Sequence, residues 1–258
     1  MKAGKNIISI VLAVCFTVFI AGCSGSANDA GTLLHLAAKE AQNGKNSDAL
    51  MLAKEACMLS PDNVEALLMR SLMAERCKDR PLALDSALQA VKLAPEHFAA
   101  LYTVGRLYSY SPDSAVEAVS YLEKAHSINS EDINTLILLS NLTVSLKSPK
   151  ALDFLNKIDA LDSEVLNNFA GRTMFGHAYA IRGKNNNKKA TIAFGHADRM
   201  GRNILSNYNY AVAIDCLYNK PSAAVAKYQT FLKQSAAKPE YAAMRKAVEK
   251  RLQKIKKR

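Results

Sequence analysis

Two stretches near the start of the chain repeat one another: residues 47–63 read SDALMLAKEACMLSPDN, and residues 81–97 read PLALDSALQAVKLAPEH. Adding 34 to the numbers of three alanines and a proline returns the same residue types: Ala49, Ala53, Ala56 and Pro61 become Ala83, Ala87, Ala90 and Pro95. A fixed period of 20–50 residues is the sequence signature of a repeat architecture. Because the spacing is unbroken over two successive copies, we predict a repeat fold for this chain.

Weaker copies continue the pattern along the chain. The third unit contains Ala118, Leu122 and Ala125, and the fourth contains Ala151, Leu155 and Ile158. The fifth contains Gly176, Tyr179, Gly183, Ala190, Phe194 and Ala197, and the sixth contains Tyr208, Ala224, Tyr228 and Phe231. Hydrophobic residues make up 49% of the chain and charged residues 22%, which excludes a wholly disordered protein. Since Ala and Leu dominate while Val and Ile are modest, the composition favours an all-α protein.

The repeated residues resemble the tetratricopeptide repeat (TPR), in which each unit is a pair of antiparallel helices. The resemblance covers roughly residues 31–236 and implies a right-handed α-solenoid of about six helical hairpins. In the third unit it implies that Gly105 lets the second helix approach closely and that Tyr108 fills the gap between repeats. Three departures leave the exact boundaries of the units open: the chain has no Trp, the sixth unit is degenerate, and serine replaces the usual proline at Ser130 and Ser163.

Residues 237–258 are predicted to form a basic amphipathic helix that caps the end of the solenoid. Its apolar residues recur at steps of three and four, so they share one face: Tyr241, Met244, Val248, Leu252 and Ile255. A solenoid end needs such a cover. The lysines and arginines elsewhere on this helix are either a solvated face or a contact surface for a partner or lipid.

The positive charge of the protein is concentrated in this tail. From Lys238 onwards there are nine basic and two acidic residues, so the segment holds +7 of the net +11 charge. The body therefore has no evident basic stripe, and we expect no nucleic-acid binding. The tail could contact anionic lipid headgroups, acidic proteins or acidic wall polymers.

The first residues predict export and lipidation. Lys2 and Lys5 precede an apolar stretch from Ile7 to Ile20, which is typical of a signal peptide and short for a membrane-spanning helix. The sequence IAGC at residues 20–23 resembles the bacterial lipobox, which implies a signal peptide over residues 1–22 and a diacylated Cys23. Residues 23–30 would then be the lipidated cysteine and a flexible tether. An ordinary signal peptide and a short anchor are the alternatives.

This resemblance also implies a location. The chain is expected in a bacterial cell envelope, lipid-anchored and facing the periplasm. Ser24 follows the cysteine, where an aspartate would indicate retention in the inner membrane of enterobacteria, so the analogy favours the outer membrane.

No catalytic or metal-binding pattern is visible in the sequence. The five histidines are scattered, no HExxH, P-loop or GxSxG motif occurs, and no zinc ligand set can be assembled from the cysteines. We therefore expect no enzyme activity, no cofactor and no metal. After processing, Cys57, Cys77 and Cys216 remain: either Cys57 and Cys77 form a disulfide, or all three are small buried residues.

By the same resemblance, the first helices of the hairpins line a groove that holds a protein or peptide partner. The candidate residues are Met69, Arg76, Tyr102, Arg106, Tyr110, Asn134, Asn141, His177 and Tyr210. Each of them either contacts the partner or packs against the next repeat. The first two units carry mostly Leu, Ala and Met where some repeat proteins clamp a peptide C-terminus, which argues against binding of chaperone tails.

These observations predict a membrane-anchored periplasmic scaffold for protein–protein interactions. Small repeat lipoproteins of this kind resemble pilus-assembly and secretin-pilotin proteins, so assistance to an envelope machine is the leading hypothesis. A co-factor of outer-membrane protein insertion and a cell-wall-associated binding module are the alternatives.

Overall fold

The computed structural model describes residues 29–201 and 203–257, and in these ranges the ordered elements are helical. The α-helices are α1 (Ala30–Gln42), α2 (Asn46–Leu59), α3 (Val64–Arg76), α4 (Arg80–Leu93), α5 (Phe98–Tyr108), α6 (Ala115–Ile128), α7 (Ile133–Ser145), α8 (Ala151–Leu161), α9 (Phe169–Ile181), α10 (Asn187–Gly201), α11 (Ile204–Val212), α12 (Pro221–Ser235) and α13 (Ala242–Lys256). The described residues up to Thr135 form one compact unit and those from Leu136 form a second. No helix in the described ranges is long and apolar enough to span a bilayer.

The helix ends follow the repeat. Helices α2 and α4 stop at Leu59 and Leu93, two residues before the prolines that are 34 positions apart. The next helices begin behind N-caps with the same spacing: Asn63 Oδ1 accepts from the Ala66 amide at 2.9 Å, and His97 Nδ1 accepts from the Ala100 amide at 3.3 Å. Such caps satisfy amides that have no partner within the helix.

Small side chains hold the first unit together. The six alanines that defined the period are fully buried, and α1–α2, α3–α4 and α5–α6 pack as hairpins around them. Gly105 is essential to the third hairpin, since a Cβ there would lie 2.6 Å from Cγ of Leu122 on α6. Tyr108 stacks on Tyr121 of the same hairpin with ring centroids 5.8 Å apart, and both rings pack against a cluster that includes Ala83 and Ala87 of the second hairpin. Both implied roles, close approach at Gly105 and gap filling by Tyr108, agree with these contacts.

The second unit contains two clear hairpins, α9–α10 and α11–α12, and the C-terminal helix α13. The apolar face of α13 packs on the last hairpin: Val248 is buried, and Met244 and Leu252 contact a cluster that includes Phe231. An ion pair with a buried carboxylate adds to this packing, because the partly exposed Arg251 donates to both carboxylate oxygens of Asp215 at 2.7 and 2.6 Å. The apolar stripe of the tail is therefore occupied by packing within this unit.

The prediction of an all-α fold made of helical hairpins is confirmed. The first helix begins at Ala30, the last residue of the stretch predicted as a tether, and α13 follows a short 3-10 turn at Pro239–Tyr241. The predicted signal peptide and Cys23 lie outside the described residues.

The three cysteines within the described residues are free thiols. Cys57 is buried in the core, Cys77 is half-buried, and Cys216 is exposed. The disulfide between Cys57 and Cys77 is therefore not formed. The alternative of three buried cysteines is wrong for Cys216, which lies in a π-helical turn beside the ion-paired Asp215.

Candidate peptide-binding face

Three predicted residues form one row on the third hairpin. Tyr102, Arg106 and Tyr110 recur every four residues, so they lie on one side of α5 and its C-terminal end. Arg106 reaches back to Glu75 on α3 in a two-pronged contact, with Nη1 to Oε1 at 2.6 Å and Nη2 to Oε2 at 2.5 Å. The hydroxyl of Tyr110 donates to Glu75 Oε1 at 2.6 Å and accepts from Arg106 at 2.6 Å. Two hairpins are thus linked by a closed hydrogen-bonded triangle.

Within this triangle, each hydrogen bond shifts the pKa of its partner side chain. The side chains of Arg106 and Glu75 are each 18% exposed. Burial by itself raises the pKa of Glu75, but the hydrogen bonds from Arg106 and Tyr110 outweigh it and hold that pKa below its ordinary value. Burial also raises the pKa of Tyr110, and the hydrogen bond to Glu75 adds to the shift. At neutral pH the triangle is an ion pair with a neutral phenol.

Arg106 is therefore not available to a ligand in the way that the sequence indicated. Its guanidinium is engaged by Glu75, since an arginine fork matches a carboxylate in two parallel hydrogen bonds. What the triangle presents is Tyr110, whose hydroxyl is engaged while the residue as a whole is 46% exposed. Arg106 positions this ring.

Cations and a second aromatic pair extend the face around Tyr110. The Arg80 guanidinium lies 5.4 Å from the Tyr110 ring centroid, and among the described residues Arg80 makes no ion pair. Arg76 contributes charge beside Glu75 and donates to the Ala41 carbonyl at 3.4 Å. Tyr102 is half-buried and stacks on Phe98 with centroids 6.1 Å apart. We call Arg76, Arg80, Tyr102 and Tyr110 the aromatic–cationic face.

Met69 does not belong to this face. It is 8% exposed and packs in the core with Ala37, Ala53 and Met73. The reason is register: Leu68, and not Met69, is 34 positions before Tyr102. The prediction of a groove position is therefore wrong for Met69, and the packing alternative describes it.

Asn134, the remaining candidate of the first unit, is half-buried in the first turn of α7. Its helix begins behind Asp132, whose Oδ2 accepts from the Thr135 amide at 2.7 Å. Asp132 also lies close enough to Tyr102 to affect the pKa of that phenol electrostatically. Asn134 therefore stands next to a residue that borders the aromatic–cationic face.

The other candidates lie in the second unit and have different surroundings. Asn141 is exposed on α7. His177 reaches solvent and lies edge-on to the buried Phe194 at 5.0 Å, and partial burial lowers its pKa. Tyr210 is half-buried: its ring lies over Gly195, where a Cβ would be 3.2 Å away, and Lys227 Nζ is 5.7 Å from its centroid. These contacts agree with the alternative interpretation of Tyr210, in which it packs against a neighbouring helix.

Sequence reasoning missed Glu75 and Arg80. Glu75 lies 31 residues before Arg106, which is not the repeat spacing of 34, so periodicity did not pair the two residues. Nothing in the sequence indicated that Arg80 lies over an aromatic ring. Within the described residues, no three His, Cys, Asp or Glu side chains are grouped to hold a metal ion.

Comparison with known proteins supports the fold. No protein-family model matches the chain, and no curated protein matches it in sequence. YrrB, described as a TPR protein with an unusual peptide-binding site, superposes with a TM-score of 0.61 at 19% identity over 72% of this chain and 93% of YrrB. This chain has the TPR fold.

Two further solved structures superpose on most of the chain. A tetratricopeptide repeat protein from Parabacteroides merdae gives a TM-score of 0.59 at 17% identity, covering 80% of this chain and 79% of that protein. PilF of Pseudomonas aeruginosa superposes with a TM-score of 0.58 at 14% identity, covering 84% of this chain and 97% of PilF. At such identities the comparison concerns the fold alone.

Proposed function

We propose that this TPR-fold protein is a lipid-anchored, periplasm-facing scaffold that binds a peptide segment of a partner protein and is not an enzyme. The observation that carries the proposal is the triangle of Glu75, Arg106 and Tyr110, which fixes an exposed aromatic ring next to Arg80. Tyr and Arg are enriched among the residues that dominate binding energy at protein interfaces. Holding the ring in place before binding reduces the entropy lost on association.

The chemistry of the face selects the partner. Tyr102 and Tyr110 offer aromatic surface to apolar side chains, while Arg76 and Arg80 offer cationic donors to a carboxylate. We expect a segment that combines apolar or aromatic side chains with an acidic group. The peptide-binding site of YrrB, on the same fold, supports a peptide ligand.

The leading role is assistance to the assembly of an envelope machine such as a pilus or a secretin. The lipobox resemblance at residues 20–23 and the fold shared with PilF support this assignment. A co-factor of outer-membrane protein insertion is the alternative, and identification of the partner separates the two.

Capture of the tagged full-length protein from crosslinked envelopes tests the binding proposal. The double variant Tyr110→Ala with Arg80→Ser removes the exposed ring and its cation. The control Val116→Ser changes a side chain on α6 that is 67% exposed. We expect the partner to be lost in the double variant and retained in the control. Equal recovery from both would contradict the proposed site, and recovery of no specific protein by the native chain would contradict the scaffold role.

The anchor has a separate test. Cys23→Ala is expected to leave a precursor that is not cleaved and takes up no labelled palmitate, since the lipid is attached to the cysteine thiol. Cys57→Ala is the matched control, because that thiol is buried and burial raises its pKa. Normal processing and labelling of Cys23→Ala would refute the lipoprotein proposal.

A wall-associated binding module is a second candidate, supported by the outer face of α13. Lys246, Lys250, Lys254 and Lys257 are exposed and spaced by three or four residues, so they form one cationic row. Arg245 and Arg251 are not part of this row, because Arg245 bonds the carbonyls of Ser235 and Lys238, and Arg251 bonds Asp215. Since the apolar face of α13 is packed, any contact by this row is electrostatic.

Binding to isolated wall sacculi and to vesicles containing anionic lipid, at low and high salt, tests the lysine row. Changing all four lysines to Gln is expected to abolish the binding, and added salt is expected to weaken it. Persistence of binding after the four changes would refute electrostatic contact by this row. Binding to sacculi alone would favour the wall, and binding to vesicles alone would favour anionic lipid.

A further inference from the structure

The first hairpin differs from the second at its outer surface. In the second hairpin, Arg70 donates to Ser86 Oγ at 2.8 Å and to Gln89 Oε1 at 3.1 Å, and it lies 3.9 Å from Asp85. Subtracting 34 places Leu36 at the position of Arg70 and Met51 at that of Asp85. At these two positions the first hairpin therefore has apolar side chains where the second hairpin has a polar pair.

Met58, two turns after Met51 on α2, is a third apolar residue at a position that is polar in the second and third hairpins. Its counterpart in the second hairpin is the exposed Lys92, and the third hairpin carries the exposed Ser120 and Ser127 at the positions of Met51 and Met58. Leu36, Met51 and Met58 are 40%, 63% and 73% exposed. We call these three residues the first-hairpin apolar row.

An apolar row at this place requires an explanation. The outer face of a terminal repeat is normally polar, because no further repeat covers it. Among the described residues no hairpin precedes α1, so the row lies at the end of the repeat array that the structure shows. We propose that this row rests on the lipid bilayer to which the protein is anchored.

The short stretch of chain between Cys23 and α1 favours the bilayer as the surface that contacts the apolar row. This step rests on the proposed anchor at Cys23. Cys23 and Asp29 are six positions apart, a stretch that spans at most about 21 Å when fully extended. Ala30 shares a buried cluster with Ala56 and Cys57, so the chain enters the hairpin beside Met58. Met51 lies seven residues along the same helix, about 10 Å away. The whole row is therefore within reach of the membrane surface.

The charges around the row favour contact through apolar side chains. Three cations on this hairpin, Lys39, Lys45 and Lys54, are matched by three anions, Glu40, Asp48 and Glu55, so the signs balance. Attraction to anionic headgroups therefore contributes little, and we expect the contact to resist salt. Apolar side chains at such a surface enter about 5–10 Å into the boundary between headgroups and acyl chains.

The absence of Trp from the chain provides a direct test. A single Trp is introduced at position 51 (Met51→Trp) or, as the control, at the exposed α6 position 116 (Val116→Trp). Both full-length lipidated proteins are reconstituted in phosphatidylethanolamine–phosphatidylglycerol vesicles with and without brominated acyl chains, and palmitate incorporation is measured on the same samples. We expect blue-shifted emission at position 51 and roughly threefold stronger quenching there than at position 116, because the ring lies within the interface.

A second variant pair tests the row as a unit. A Trp at position 36 (Leu36→Trp) is compared with and without Met51→Ser and Met58→Ser, which are the residues of the third hairpin. Quenching is expected to fall to the level of the control when the two methionines are removed. Because all three positions are exposed, the helical circular-dichroism signal is expected to stay unchanged.

The outcomes separate this inference from the anchor on which it rests. Palmitate labelling with no quenching at positions 51 and 36 overturns the docking and leaves the anchor standing. Absence of labelling overturns both. A blue shift that persists without vesicles, together with dimers in sedimentation, overturns the docking in favour of contact between two copies of the chain.

Discussion

Replacing Glu75 by Gln tests the triangle at the centre of the candidate site. The change keeps the size of the side chain and removes its charge, which leaves Arg106 without an ionic partner. Removing one member of a fully buried ion pair costs about 3–5 kcal/mol. Because both side chains remain 18% exposed, we expect a smaller loss, about 2 kcal/mol in the free energy of unfolding. For a unit of roughly 100 residues this lowers the melting temperature by about 10 °C.

The loss should depend on pH in a defined direction. The pKa of Glu75 is lower in the folded protein than its ordinary value. Its contribution to stability is therefore complete above the ordinary pKa of about 4.3 and disappears as the pH falls through the folded value. Urea unfolding followed by circular dichroism at neutral pH and near pH 3 measures the change. The difference between the native protein and Glu75→Gln should shrink at the lower pH.

A double-mutant cycle with Arg106→Met provides the control. If the two residues stabilise each other, the double variant should lose less stability than the sum of the single variants, with a coupling above about 1 kcal/mol. A melting temperature within about 1 °C of the native protein, or additive losses, would refute the reasoning.

Three further variants test the core, the C-terminal helix and the site. Gly105→Ala should cost about 1–2 kcal/mol in unfolding experiments, since the added Cβ meets Leu122, whereas Gly31→Ala, which meets only an Asp29 side chain, should be neutral. Arg251→Met should destabilise the packing of α13 and speed its hydrogen exchange, because it removes the two-pronged donor to the buried Asp215; unchanged exchange would contradict this. Tyr110→Ala should weaken partner binding at least tenfold, about 1.4 kcal/mol, as measured by isothermal titration against the partner segment. It should lower the melting temperature less than Glu75→Gln does, because the ion pair between Glu75 and Arg106 remains.

The fold was predictable because its signals are local and repeated. The buried alanines, the prolines behind α2 and α4, and the close approach at Gly105 each follow from a residue type at a fixed spacing. The apolar face of α13 follows from its helical period, and its contacts with the last hairpin agree with that pattern.

The site was less predictable because its contacts join different repeats. Periodicity placed Tyr102, Arg106 and Tyr110 on one row, but it does not show that a carboxylate on the preceding hairpin neutralises Arg106. An alignment shifted by one position moved Met69 from the core to the surface, since neighbouring helical residues point about 100° apart. The apolar row at Leu36, Met51 and Met58 became visible only when the contacts of Arg70 showed what the repeat replaces.

Site-specific photo-crosslinking at position 110 is the most direct test of a scaffold that binds through the aromatic–cationic face. A photoreactive phenylalanine analogue is introduced in place of Tyr110 in the full-length protein, and in place of the exposed Val116 as the control. Both proteins are illuminated in intact envelopes and analysed by mass spectrometry. The account predicts a crosslink to a defined segment of one envelope protein at position 110 and none at position 116. The same products at both positions, or no crosslinked peptide at position 110, would contradict it.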